Sequence, residues 1–264
     1  MTILDELAAY ARLRVEKAKK LKTLNQIKEQ AEALPKGQFS FEKVLHKPGM
    51  SFICECKKAS PSQGVIRENF PYLQIAKAYE QAGADCLSVL TEPHWFLGEN
   101  EHLAEIARTV KIPCLRKDFT VDSYMIYEAK ILGAEAVLLI CALSSREELK
   151  QYIKICDSLG LSALVEAHDE QEIKKALEVG ARIIGVNNRN LKNFSVNVHN
   201  SVELRKFVPS QILFIGESGI KNSEDVKVLK AAGANGVLIG EALMVSTNIG
   251  KTLTALKGGN YDKN

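Results

Sequence analysis

The sequence predicts a (β/α)8 TIM barrel carrying an N-terminal helical extension, and three observations lead there. From Ser51 onward, short β-rich runs alternate with longer helix-patterned segments, giving eight strand candidates. Gly83, Gly133, Gly180 and Gly233 recur 50, 47 and 53 residues apart, each where a helix closes and a strand begins. Ionisable residues gather at the ends of the first, third, fifth and seventh strand candidates. In a barrel, those C-terminal strand ends form the face that carries chemistry.

Residues 1–47 are expected to form the helical extension packed on the barrel, and residues 48–264 the barrel itself. Leu4, Leu7, Ala11, Val15 and Ala18 repeat at helical spacing over residues 2–34, with Thr2 to Asp5 and Thr23 to Gln26 as capping boxes and a break near Thr23. Pro35-Lys36-Gly37 ends this segment. The basic run of Arg12, Arg14, Lys17, Lys19, Lys20, Lys22 and Lys28 reads as a solvated helix face rather than a site for an anionic partner.

The strand candidates are 51–57, 84–90, 112–116, 136–141, 161–166, 182–187, 212–217 and 236–240. The repeated glycines precede the second, fourth, sixth and eighth of them, so each interval holds two βα units. An open doubly wound sheet is the alternative, but no Gly-rich dinucleotide fingerprint follows any strand.

Size and charge agree with a single large domain. A chain of 264 residues with 46% hydrophobic content can bury a substantial core. A net charge of +3 is too small to argue for nucleic acid. The charged first twenty residues predict no signal peptide, and no apolar run approaches a membrane span. Six cysteines lie mostly in apolar runs without paired spacing, as expected of reduced core residues in a cytoplasmic protein.

The first strand sets the chemistry. Alternation puts Phe52, Cys54 and Cys56 on one face and Ile53, Glu55 and Lys57 on the other, before Ser60-Pro61-Ser62 breaks the strand. The third strand ends in Arg116-Lys117-Asp118, the fifth in Glu166-Ala167-His168 and the seventh in Glu217-Ser218-Gly219. Side chains of one interior layer come from alternate strands, so Lys57, Lys117, Glu166 and Glu217 are expected to face one another. Crowded amines and carboxylates suit proton transfer, with lysine pKa values drawn down and carboxylate values up toward neutrality. A Schiff base on a buried lysine is the rival use.

Other polar groups are more ambiguous. The histidines are too scattered for a metal site, and His168 is either catalytic or a loop or helix-start residue. Glycines in Glu217-Ser218-Gly219-Ile220 and Ile239-Gly240-Glu241-Ala242 suit backbone contact with a phosphate. The loop Thr91 to Gly98 holds the sole tryptophan. Its aromatics either bracket a planar substrate, with Phe119 joining them, or pack on the N-terminal helix.

Five ordered motifs carry a resemblance: Glu-Cys-Lys-Lys-Ala-Ser-Pro-Ser at 55–62, Leu-Arg-Lys-Asp-Phe at 115–119, Leu-Val-Glu-Ala-His at 164–168, Gly-Val-Asn-Asn-Arg-Asn-Leu at 185–191 and Gly-Glu-Ser-Gly-Ile at 216–220. Together they resemble the indole-3-glycerol-phosphate synthase family, over nearly the whole chain. The resemblance implies a carboxy-lyase of tryptophan biosynthesis. It would convert 1-(2-carboxyphenylamino)-1-deoxyribulose 5-phosphate to indole-3-glycerol phosphate, carbon dioxide and water. It also implies no metal or organic cofactor, and a small-molecule substrate rather than nucleic acid or membrane as partner, in a monomer or weak homodimer.

By the same resemblance, Lys117 is the general acid on the substrate ketone, Glu166 the catalytic carboxylate, and Lys57 a lysine that binds substrate and assists dehydration while Glu55 holds it. Asn187, Glu217 and Ser218 match further catalytic positions. Ser60, Phe96, Phe119 and Arg189 match substrate contacts, with Arg189 placed for the anthranilate carboxylate. Gly219, Gly240 and Glu241 fall at the phosphate end. Two positions depart from some relatives: Ala59 replaces a lysine, and Glu241 replaces a small hydroxyl residue, so Glu241 must point away from a phosphate or be paired. The alternatives are another phosphosugar barrel isomerase or aldolase, or an inactive phosphate-ligand-binding barrel.

Overall fold

The computed structural model describes residues 2–190 and 194–259. Met1, Leu191 at the end of its motif, and residues 192–193 and 260–264 lie outside the described residues. The chain begins with α1 (Ile3–Leu21) and α2 (Leu24–Glu32), each started by the expected capping box. Thr2 Oγ1 accepts from the Asp5 N–H at 3.2 Å, while Asp5 Oδ2 accepts from the Thr2 N–H at 2.7 Å. The Thr23 and Gln26 pair does the same at the break.

A third helix, α3 (Ser40–Leu45), was not anticipated from the sequence. It is one turn and a half long and enters through Phe39 at φ 55° with no side-chain cap. Local signals are weak, and burial holds it: Phe41 and Leu45 are fully buried among Ile53, Cys86, Leu115, Ile183 and Leu213. The Glu42 N–H donates to Ser162 Oγ, and Ser51 Oγ donates to the Val44 carbonyl. Ser51 and Ser162 open their strands, so α3 closes the barrel's N-terminal mouth.

The rest alternates strand and helix: β1 (Ser51–Cys56), a two-stranded hairpin β2 (Ala59–Ser60) and β3 (Gly64–Val65), α4 (Tyr72–Gln81), β4 (Cys86–Leu90), α5 (Asn100–Thr109), β5 (Cys114–Lys117), α6 (Ser123–Ile131), β6 (Ala136–Ile140), α7 (Arg146–Leu159), β7 (Ser162–Ala167), α8 (Glu170–Glu178), β8 (Ile183–Asn187), α9 (His199–Arg205), β9 (Leu213–Glu217), α10 (Ser223–Ala231), β10 (Gly236–Ile239), α11 (Glu241–Met244) and α12 (Ile249–Leu256). Among the described residues, eight parallel strands close in the order β1-β10-β9-β8-β7-β6-β5-β4, which rules out the open sheet. Every barrel strand lies within two residues of its sequence-predicted bounds. The four repeated glycines adopt φ of +82°, +87°, +86° and +86°, the left-handed conformation that ends a helix without a Cβ clash.

Alternation sorts the core into two shells. Phe52, Cys54 and Cys56 face the helices, whereas Ile53 joins Leu115, Leu164 and Ile215 inside the barrel. All six cysteines are free and buried.

The basic face of α1 is not simply solvated. Arg14 forms a double contact with Asp118, Nη2 to Oδ1 at 2.6 Å and Nη1 to Oδ2 at 3.1 Å, and Lys19 Nζ reaches Asp122 Oδ2 at 2.7 Å. Arg12, Lys17, Lys20 and Lys28 do remain exposed. Asp118 has a fully buried side chain and also accepts from Thr91 Oγ1 at 2.6 Å. Burial alone would raise its pKa, but Arg14, Arg116 and Thr91 hold it below the usual carboxylate range. The acidic partners lie about a hundred residues from the helix, where no local pattern reveals them. On the same side, the Tyr10 ring meets His94 at 5.4 Å and Trp95 at 5.5 Å between centroids.

Arg14→Ala leaves a buried carboxylate without its bidentate partner and is expected to cost about 3 kcal/mol, the scale of breaking one side of a buried pair. The check is the urea midpoint of the variant beside the parent; coincident curves would mean that the clamp contributes no net stability.

Candidate active site

The C-terminal ends of the barrel strands surround one cavity, and all fourteen candidate residues line it: Glu55, Lys57, Ser60, Phe96, Lys117, Phe119, Glu166, Asn187, Arg189, Glu217, Ser218, Gly219, Gly240 and Glu241. Of the four charged residues expected to face one another, Lys117, Glu166 and Glu217 do so, while Lys57 pairs with Glu55 in the same cavity. Lys117 Nζ lies 3.6 Å from Glu166 Oε2 and 3.9 Å from Glu217 Oε2. Lys57 Nζ pairs with Glu55 Oε1 at 2.8 Å, and Ser88 Oγ donates to Glu55 Oε2 at 3.2 Å.

Their protonation departs from the sequence expectation for Lys117 and for two carboxylates, Glu55 and Glu166. Burial pushes Lys117 down, but Glu166, Glu217 and Glu55 together outweigh it and raise its pKa. The ammonium is therefore fixed in its charged form. The carboxylates divide. Burial and the neighbouring Glu166 charge raise Glu217 to about 8. Burial also acts on Glu166, but Lys117, His168 and Asn187 more than offset it and keep that carboxylate ionised. Glu55 is likewise held low, by Lys57 and Lys117 against its burial. Two carboxylates in contact cannot both ionise cheaply, so Glu217 keeps a proton that Glu166 gives up.

Two glycines make room for these charges, a signal that sequence reasoning missed. A Cβ at Gly185 on β8 would overlap Glu217 Oε1, and one at Gly240 would stand 2.5 Å from Glu55 Oε1 and 3.0 Å from Lys57 Nζ. Gly240 thus serves the ion pair as well as any ligand. Beyond β9 the chain turns through two left-handed residues, Ser218 at φ 65° and Gly219 at φ 82°. This conformation is uncommon for serine, and Asn188 Nδ2 supports it by donating to the Ser218 carbonyl at 3.1 Å.

Glu241 is paired: its Oε2 lies 3.4 Å from Arg189 Nη2. Arg189 also donates from Nη1 to the Phe194 carbonyl at 3.3 Å, and its backbone N–H donates to Asn187 Oδ1 at 3.0 Å. The hairpin β2–β3, unforeseen as strands, brings Ser60 to the rim.

The aromatic loop packs on α1, one of the two purposes that the sequence left open, and also places Phe96 in the cavity wall. Fully buried Glu92 organises it, accepting from the N–H groups of His94, Trp95 and Phe96 at 2.9, 2.8 and 3.0 Å. His94 and Trp95 are turned onto α1, while Phe96 faces Phe119 across 6.0 Å in the cavity wall. Ile3, Leu4 and Leu7 of α1 complete that wall. The sequence marked Leu4 and Leu7 only as an apolar stripe, because periodicity does not tell which surface a stripe covers. Among the described residues, no group of three or more His, Cys, Asp or Glu side chains is placed to hold a metal ion.

The chain matches the family model described as indole-3-glycerol phosphate synthase over residues 4–256. It is 55% identical over 257 residues to a curated indole-3-glycerol phosphate synthase from Ruminiclostridium cellulolyticum, covering 97% of this chain and 99% of that one. A second, from Endomicrobium trichonymphae, is 53% identical over 256 residues with the same coverage. Among solved structures, thiamine phosphate pyrophosphorylase from Pyrococcus furiosus is similar at a TM-score of 0.60 and 13% identity, covering 83% of this chain and 96% of that chain. At that identity the likeness concerns the fold alone.

Because the Glu217 pKa is raised in the folded state, the native protein binds more protons than the unfolded chain between its ordinary value near 4.5 and about 8. The resulting stabilisation is complete below that window and lost as pH rises through it. Glu217→Gln removes the titration, so its melting temperature relative to the parent should be higher at pH 8 than at pH 5. An equal difference at both values would show that Glu217 titrates normally.

Proposed function

The chain belongs to the indole-3-glycerol phosphate synthase family, and from that premise we propose how its cavity residues divide the work. The enzyme is a decarboxylating lyase of tryptophan biosynthesis. It closes the ring of 1-(2-carboxyphenylamino)-1-deoxyribulose 5-phosphate, releasing carbon dioxide and water to give indole-3-glycerol phosphate.

The observation that carries the assignment is the charged Lys117 at the meeting point of Glu166, Glu217 and Glu55. In the first step the carboxylate-bearing ring carbon attacks the substrate ketone. Lys117 delivers a proton to the ketone oxygen as negative charge builds there, which lowers the barrier. Loss of carbon dioxide returns the bonding pair to the ring and restores its aromaticity. The hydroxyl then departs as water with a proton from Lys57, and Glu166 accepts the proton leaving the adjacent carbon. Glu166 suits this role because Lys117 and His168 keep it ionised. An ammonium held charged is poorly suited to the rival Schiff base, which needs the free amine.

Binding is shared around the rim. Phe96 and Phe119 bracket the aromatic ring, Arg189 meets the anthranilate carboxylate, Ser60 contacts the substrate from the first loop, and Asn187, Glu217 and Ser218 complete the catalytic set. Backbone N–H groups at Gly219 and Gly240 receive the phosphate, and Glu241 is compatible with that anion because Arg189 neutralises it. Glu55 keeps Lys57 aimed. We further infer that residues 1–47 form an extension to a barrel of residues 48–264, and that the enzyme is cytoplasmic, as a monomer or weak homodimer. The free cysteines support that compartment. No described helix is long and apolar enough to cross a membrane.

Fluorescence-monitored turnover, with the product confirmed by mass, tests the assignment. Lys117→Ala should lower kcat by about 10² to 10⁴, the range of general acid catalysis, with substrate affinity nearly intact. Turnover at the parent rate would remove Lys117 from its role. Lys57→Ala should weaken both binding and rate; a variant changed in neither would place the first-strand lysine outside the mechanism. Borohydride added during turnover should trap no adduct, and a stable adduct on either lysine would restore the Schiff-base reading.

A further inference from the structure

His168 stands just behind the cavity and takes no part in the steps above. Its ring bridges two carboxylates: Nδ1 is 3.1 Å from Glu172 Oε2, and Nε2 is 3.4 Å from Glu166 Oε1. Glu172 Oε2 also accepts from the His168 backbone N–H at 2.8 Å, so one carboxylate oxygen holds both the backbone and the Nδ1 edge of the ring. Glu172 is itself held by helix start, its N–H donating to Asp169 Oδ1 at 2.9 Å. His168 Nε2 is buried and makes no hydrogen bond among the described residues; Glu166 Oε1 stands within ion-pair distance of it. The two oxygens of Glu166 therefore face different cations, Oε2 toward Lys117 in the cavity and Oε1 toward His168 outside it.

We propose that His168 is a positioning residue for the ring-closing reaction, clamping Glu166 Oε1 from outside the cavity so that Oε2 stays aimed at the substrate and at Lys117. The proposal rests on Glu166 being the catalytic carboxylate. Its chemistry is that of a fixed cation: an imidazolium opposite Lys117 lets Glu166 stay anionic beside protonated Glu217. Groups from each neighbouring element bear on the imidazole. Glu166 on β7, Glu172 on α8 and Glu217 on β9 favour its charge, and burial opposes it; the balance raises its pKa. Lys117 on β5 lies beyond Glu166. Lys175 on α8 is occupied by the Cys141 and Ser144 carbonyls, and Cys141 Sγ donates to the Glu172 carbonyl. Deprotonation of His168 at alkaline pH releases the clamp, whereas its loss by mutation makes Glu166 easier to protonate at acid pH.

Two measurements on the full-length protein test this. In the pH dependence of kcat, His168→Asn should lower the rate about tenfold at pH 6 and less at pH 8, moving the acid limb upward, with KM within about twofold. Independently, NMR titration of His168 should show its pKa falling in Glu166→Gln, a readout that needs no turnover and survives a His168→Asn chain that fails to fold. A pH profile of unchanged shape, or a His168 titration indifferent to Glu166→Gln, overturns the proposal. Glu166→Gln with parental turnover would instead remove the catalytic assignment of Glu166. Inactive Glu166→Gln beside a His168→Asn profile that superimposes on the parent removes the His168 role only.

Discussion

One buried ammonium organises the functional end of this barrel. Lys117 is enclosed by Glu55, Glu166 and Glu217, more negative charge than it can balance, and the surplus is resolved by protonation and by further cations. Glu217 keeps its proton, Lys57 takes Glu55, and His168 takes the far oxygen of Glu166. The packing yields to this arrangement. Gly185 and Gly240 stand where any side chain would strike a carboxylate or an amine. Buried charges of this kind cost stability unless paired, so their concentration at one strand-end layer marks a site kept for chemistry.

The same short segment of β5 and the loop after it sets both the chemistry and its enclosure. Alternation sends Lys117 into the barrel and its neighbours Arg116 and Asp118 outward. Asp118 grips Arg14 of α1, and Arg116 reaches Glu128 of α6 at 2.6 Å and the Thr91 hydroxyl at 3.1 Å. Through that grip, α1 is held with Ile3, Leu4 and Leu7 over the cavity. A wall of apolar side chains excludes water and strengthens the interactions within. Lys117 and the cavity wall thus share an origin three residues wide.

The aromatic loop is built on the same economy. One buried carboxylate, Glu92, satisfies three consecutive N–H groups and so fixes a turn from which successive rings point apart. His94 and Trp95 secure α1, and Phe96 serves the cavity. The N-terminal extension is consequently part of the site.

Eight strands, their order of faces, the helix-ending glycines and the strand-end residues Glu55, Lys57, Lys117, Glu166 and Glu217 were legible in the sequence as short-range patterns, whereas Ser60, Asn187 and Arg189 were reached only through the family resemblance. Period-two alternation, a left-handed turn that only glycine adopts freely, and the rule that parallel strands end on one face are local properties of the chain. Helix α3 was not legible, since its stability comes from Phe41 and Leu45 plugging a mouth made by distant strands. Nor were the Arg14 clamp, the space at Gly185, or the rise rather than fall of the Lys117 pKa. The sequence determined which ionisable groups would meet. Tertiary structure decided which of them would hold the protons, because that depends on distances and burial among charges drawn from β1, β5, β7 and β9, and electrostatic energy follows separation in space rather than in sequence.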